Sequence, residues 1–146
     1  NRANNSVVQS DMSNMAKQIR LFYADNGRYP NGGSSVALEG AASSGNVSYI
    51  PEIPLKVSSG VYDEPTAAGS ANAMYCTGPV VATGEPGFNI LSESRSHVRY
   101  IYNSESGTKV TSGPMSVAGA CLGLGYPRSY SYGYFINSGG WQSWTK

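Results

Sequence analysis

Val8, Met12, Met15, Ile19 and Phe22 recur at alternating steps of four and three residues. A helix turns once in about 3.6 residues, so these side chains share one apolar stripe, while Gln9, Ser13, Lys17 and Arg20 fall off it toward water. The stop is equally marked. Asp25, Asn26 and Gly27 are followed by Pro30, and glycine accepts the left-handed conformation that closes a helix. The spacing predicts a helix over 1–25 that must bury one face. Its start admits two readings. Ser6, Val7, Val8 and Gln9 fit a capping box that opens the helix at residue 7, or the stripe is the lower part of a longer helix cut off upstream.

The rest of the chain must supply what that helix packs on. A length of 146 residues suits a single domain over 1–146. Charged residues make up 13%, about half the usual share of roughly 25%, which excludes disorder driven by charge. Ten Lys+Arg against nine Asp+Glu leave a formal net charge of +1, without the basic excess of a nucleic-acid binder. No apolar run reaches the roughly 18 residues of a membrane span, and no signal-peptide pattern follows Asn1.

Residues 26–87 read as a long irregular connection. Gly, Ser, Ala and Pro dominate, with apolar islands at 36–38, 49–57 and 80–82. Pro51 and Pro54 exclude a central strand or a helix interior around them. Tyr49, Ile50, Ile53, Leu55, Val57, Tyr62, Met74 and Tyr75 would anchor this stretch to a core; disorder is the alternative.

Residues 88–146 read as an antiparallel sheet with a C-terminal loop. The run HVRYIYN at 97–103 is rich in strand formers, 104–107 is a turn, and 108–111 is the returning strand. Alternation puts Val98, Tyr100 and Tyr102 on one face and Arg99 and Ile101 on the other. Segments 88–91 and 131–137 are further strands, 139–144 a closing turn and short strand, and 112–128 a Gly-rich loop or short helix carrying Cys121. The fold class is therefore α+β, an N-terminal amphipathic helix on a small antiparallel sheet.

Cys76 and Cys121 lack CxxC spacing and a nearby histidine, and a structural metal site needs four ligands. A disulfide in an exported protein is the preferred reading, because a chain rich in turns gains from a staple. Two buried reduced thiols are the other.

No G-x-S-x-G elbow, H-E-x-x-H, phosphate-binding loop or kinase signature occurs. Gly123, Leu124 and Gly125 precede Pro127, which would break the helix a dinucleotide loop requires, so they read as a tight turn. His97 is the single histidine and has no nucleophile or acid arranged around it. Asp63 and Glu64 sit before Pro65 in a turn context, and no acidic calcium-loop pattern is present. Asn4 and Asn46 begin N-x-S tripeptides, which are common by chance. The sequence thus assigns no catalytic, cofactor-binding or metal-ligating residue, and no enzyme.

The C-terminal segment gathers Tyr126, Arg128, Tyr130, Tyr132, Tyr134, Trp141 and Trp144. Alternation makes Tyr130, Tyr132 and Tyr134 neighbours on one sheet face. Such a strip covers the helix as core, meets a partner subunit, or stacks sugars or bases. The core reading comes first, because one helix and a small sheet otherwise have little to bury. Arg128 and the Gly139-Gly140 turn should stay exposed in each case.

Residues 19–30, IRLFYADNGRYP, resemble the helix end of type IV pilins and type II secretion pseudopilins, whose long N-terminal helix commonly ends in a "DNGxYP" stretch. The order of helix, variable loop, antiparallel sheet and cysteine-bearing C-terminal part is similar too. The resemblance implies a leader peptide and about 25 very apolar residues ahead of this point, long enough to cross a bilayer. It implies a structural subunit of a type IV pilus, serving adhesion, twitching motility or DNA uptake at the cell surface. Its partners would be copies of itself, other pilins and the pilus assembly machinery. It would meet the membrane only through the preceding apolar helix, and DNA or a host surface as further partners. A pseudopilin in a secretion piston and a tip pilin binding a ligand through the aromatic strip are the rivals. The major pseudopilins' calcium loop has no counterpart here, which favours the pilin.

Overall fold

Helix α1, Arg2–Asn26, buries Val8, Met12, Met15, Ala16 and Ile19 along one side. Phe22, the last residue of the stripe, is half-buried, with the Arg28 guanidinium 5.3 Å from its ring centre. The helix stops as its residues dictate: Gly27 takes φ +75° and its N–H donates to the Tyr23 carbonyl at 2.8 Å, the bond of a left-handed cap. Ser6 lies inside the helix, so the Ser6–Gln9 pattern is not its cap. The structure, a computed structural model, describes residues 2–31, 34–36, 62, 71–136 and 140–142, with side chains for 2–31, 62 and 74–130.

Strands β1 (Ser34–Val36), β2 (Ala71–Pro79), β3 (Pro86–Glu93), β4 (Arg99–Asn103), β5 (Gly107–Val110), β6 (Arg128–Ile136) and β7 (Gly140–Gln142) form one sheet. Its order is β1-β6-β2-β3-β4-β5, every pairing is antiparallel, and β7 pairs the far end of β6 from β1. The fold is α+β.

The stretch 26–87, expected as connection, therefore contains β1 and the whole of β2, a central strand with β3 on one side and β6 on the other. The reason is burial. Met74, Tyr75 and Cys76 are all fully buried, because both faces of the sheet are covered. A strand in that position has no polar face and no alternation to read. Tyr62 packs in the core and bridges to Ser94. Tyr49, Ile50, Pro51, Ile53, Pro54, Leu55 and Val57 lie outside the described residues.

One face carries Tyr75, Phe88, Ile90 and Tyr100, packed against α1 together with Tyr29, Val98 and Tyr102. Arg20 leaves the apolar stripe yet does not simply face water. Its Nη1 donates to the Tyr102 hydroxyl at 2.6 Å and its Nη2 to the Ser104 carbonyl at 2.8 Å, with the guanidinium over the Phe88 and Tyr102 rings. The opposite face carries Met74, Cys76, Leu91, Ile101 and Tyr130. It is closed by a lid containing helix α2 (Val117–Ala120), whose Ala120 joins Cys121 and Leu124 in that second core. Ser116 caps α2 by accepting from the Gly119 N–H. Gly119 cannot be larger, since a Cβ there would stand 1.9 Å from the Pro114 carbonyl oxygen.

The hairpin of β4 and β5 follows its sequence signal. Asn103 Oδ1 accepts from the N–H groups of Glu105 and Ser106, which shapes the turn before Gly107 at φ +80°. His97 differs from its expected place at a strand start. It sits at φ 65° in the preceding turn, closed by its N–H on the Ser94 carbonyl and the Ser94 N–H on the Val98 carbonyl. Histidine tolerates that conformation better than bulky or branched residues do.

Candidate functional site

The aromatic strip divides on inspection. Tyr130 is fully buried, opposite Cys76 in the register and under the α2 lid. It is core, and it covers the face away from α1 rather than the helix. As an interaction surface it is excluded, because a side chain with no exposed area meets no partner. The backbone of β6 and β7 places residues 132 and 134 opposite 74 and 71 of β2, and residue 141 opposite 135. The side chains of Tyr132, Tyr134 and Trp141 lie outside the described ones, as does Trp144 entirely, together with Gly139.

Tyr126 and Arg128 remain as a pair. The Arg128 guanidinium stacks on the Tyr126 ring with its carbon 4.3 Å from the ring centre, and Nη2 donates to the Tyr126 hydroxyl at 3.0 Å. Nη1 donates to the Leu124 carbonyl at 3.2 Å. Arg128, expected exposed, is half-buried, with its guanidinium held against the Tyr126 ring and the Leu124 carbonyl.

Cys76 and Cys121 form a disulfide, with Cα atoms 5.4 Å apart. Cys76 lies on a strand rather than in a loop, so the bond ties the sheet interior to the end of α2. Asn89, on β3 beside Cys76, does the same job by hydrogen bonding. Its Nδ2 donates to the carbonyls of Ala120 at 2.9 Å and Leu122 at 2.8 Å, while its Oδ1 accepts from Asn103 Nδ2 at 2.8 Å. The sequence reading missed Asn89, whose signal is a polar residue between Phe88 and Ile90 in an apolar run.

The second charged arrangement lies at the other end of β3. Glu93 is buried and pairs with Arg99 Nε, its register partner on β4, with His97 Nδ1 3.5 Å from its other oxygen. Arg99 Nη1 also donates to the Gly113 carbonyl at 2.9 Å. The Glu93–Arg99 pair ties β3 to β4, and the Arg99 bond to Gly113 holds the 111–114 segment, so these bonds read as structural. Among the described residues no three of His, Cys, Asp and Glu gather as metal ligands, and no helix is long and apolar enough to cross a membrane.

A groove of about 520 Å³ opens where the turn after α1 crosses the ends of β2, β3 and β6. Arg28, Tyr29, Thr77, Pro79, Pro86 and Arg128 line it. Tyr29 is fixed by its ring contacts with Tyr23 at 4.5 Å and Phe88 at 4.9 Å. Burial pushes its phenol up from the ordinary value, against the pull of Arg20. Pro30 is held by its carbonyl, which accepts from the Tyr75 hydroxyl at 2.6 Å. Of these, Arg128 alone is among the site residues expected from the sequence, although Arg28 and Tyr29 stand inside the 19–30 stretch that carries the family resemblance.

Comparison of the chain with protein-family models, with curated proteins and with solved structures finds no match.

Proposed function

We propose that this chain is the head region of a type IV pilin, a structural subunit of an extracellular filament. One observation carries the reading. An amphipathic helix lies across one face of an antiparallel sheet and ends in Asp25-Asn26-Gly27-Arg28-Tyr29-Pro30, and that ending is anchored on the sheet through Tyr29 on Phe88 and Pro30 on Tyr75. A helix fixed so firmly at its lower end transmits force from its upper part to the sheet, which is what a filament subunit needs. The disulfide closing the other face supports a place outside the reducing cytosol. In this reading the helices bundle in the filament core and the heads touch at its surface. A tip pilin recognising ligand through the aromatic strip has less support, with Tyr130 in the core.

The test is the natural gene and its product. A short basic leader followed by an apolar stretch of about 20 residues or more, with a glutamate near its start, is expected ahead of this region. Filaments sheared from the producing cells should contain the chain and vanish when the gene is deleted. An upstream region with no apolar stretch ends the pilin reading. Retention in a secretion machine, with no surface filament, transfers the chain to the pseudopilins.

A further inference from the structure

The fold leaves the hydrogen-bonding capacity of Arg128 largely unspent. A guanidinium has five N–H donors. One on Nη1 goes to the Leu124 carbonyl and one on Nη2 to the Tyr126 hydroxyl, both neutral acceptors. Nε is buried with no acceptor among the described residues. Among the described residues no carboxylate pairs with this cation, whereas Arg99 has Glu93. A half-buried charge held by neutral partners carries a desolvation cost that a matching anion would offset.

That same side chain lines the groove at the end of β2, β3 and β6. At about 520 Å³ it falls within the range of small-molecule sites, roughly 300–1,000 Å³. Its walls are the rings of Tyr29, Pro79 and Pro86, a second guanidinium comes from Arg28, and no Asp or Glu is among its described lining residues. We propose that this groove binds a small carboxylate carried on an apolar ring, with Arg128 gripping the carboxylate and Tyr29, Pro79 and Pro86 packing against the ring. One planar fork matches one carboxylate in a two-bond pair. The apolar walls of Tyr29, Pro79 and Pro86 suit the ring of such a ligand, whereas a phosphate dianion is more strongly hydrated and has no apolar part to set against them. The site is independent of the filament reading and goes beyond it.

Benzoate and its uncharged isostere benzamide test the site by NMR titration of this chain. Benzoate should move the Arg128 Nε–H signal and the backbone amides of Tyr29, Thr77 and Ser129 along one saturable curve, and benzamide should not. Arg128→Gln should weaken benzoate by about tenfold or more, as expected when a charge-assisted pair is lost. Because that change also removes the bonds to Leu124 and Tyr126, Arg128→Lys serves as a second variant. It keeps the charge and should lose less affinity than the glutamine variant. Equal binding of benzoate and benzamide, shifts that map away from the groove, or no saturable shift with benzoate would each overturn the proposal. Inorganic phosphate binding as well as benzoate would overturn the carboxylate assignment.

Discussion

Cys76 and Asn89 are register partners on β2 and β3, and they hold the same three residues of the lid from below. Cys76 takes Cys121 through sulfur, and Asn89 takes the carbonyls on either side of it, those of Ala120 and Leu122. The two devices sit side by side and their effects should not add. Asn89→Ala strands two carbonyls and the Asn103 amide, and should cost about 2–3 kcal/mol. Paired with Cys76→Ala/Cys121→Ala in a double-mutant cycle, it should show a coupling well above the roughly 0.5 kcal/mol of independent sites. Urea unfolding of the four proteins measures this, and simple additivity would mean that the lid is held elsewhere.

The disulfide itself is checked by thiol labelling. The denatured, unreduced protein should offer no reactive thiol, and two would refute the bond. In the folded protein Cys76 is 0% and Cys121 2% exposed, so reduction should require the lid to open and should slow as the protein is stabilised. The double alanine variant should lose up to about 4 kcal/mol, the chain-entropy value for a loop of this length.

Ile19 is 0% exposed on α1, in the core it shares with Tyr75, Phe88 and Ile90. Ile19→Asp would bury a charge with no partner and should unfold the domain. Ile19→Val, the mild control, should cost about 0.5–1.5 kcal/mol. A melting curve for the aspartate variant that matched the parent would refute the packing of α1 on the sheet.

The elements that could be read from the residues are those with one dry face and one wet one. The stripe of α1 alternates with Gln9, Ser13 and Lys17, and its stop is spelled out by Asp25 to Gly27. The β4–β5 hairpin shows Tyr100 and Ile101 pointing opposite ways, as its alternation requires, with Asn103 before the turn. By contrast β2 carries Met74, Tyr75 and Cys76 in succession, all buried and pointing to both sides of the sheet, so periodicity had nothing to register. The lid has the same problem. Val117, Ala120 and Leu124 do stand three and four apart, but α2 spans only Val117–Ala120, a single turn, too short for a period to be told from chance. The lid is held by Cys121 and by Asn89 from β3. The groove was illegible for another reason: Arg28, Thr77, Pro86 and Arg128 come together from four separate places in the chain.

Tyr130 separates core from recognition in the aromatic segment. Fully buried against Cys76 and Leu124 in the second core, it should cost about 3–5 kcal/mol when cut to alanine. Tyr126→Ala, at a half-buried ring stacked on Arg128, should cost less than half of that. Equal, small effects at both positions would return Tyr130 to the surface and revive the strip as a binding face.

Tyr62 predicts how the domain behaves in alkali. It is 2% exposed and donates to Asp11 Oδ2 on α1 at 2.8 Å. Burial, then the charge of Asp11, pushes its phenol far above its ordinary value. Below about pH 10 the phenol is protonated in both the folded and the unfolded chain, and ionisation changes nothing. Above that pH the unfolded chain releases the proton and the folded one keeps it, so the unfolded state gains. Stability should therefore fall with rising pH, by about 1.4 kcal/mol per pH unit from this one residue. Tyr29, shifted in the same direction, adds a loss of the same sign. Tyr62→Phe removes the ionisation along with the bond to Asp11. It should be the less stable protein near neutral pH and the one with the shallower decline above pH 10, its slope smaller by one proton. Unfolding free energies measured from pH 8 to about 11.5 would show the two curves converging. Parallel curves would mean that the Tyr62 phenol ionises as readily in the folded domain as in the unfolded chain.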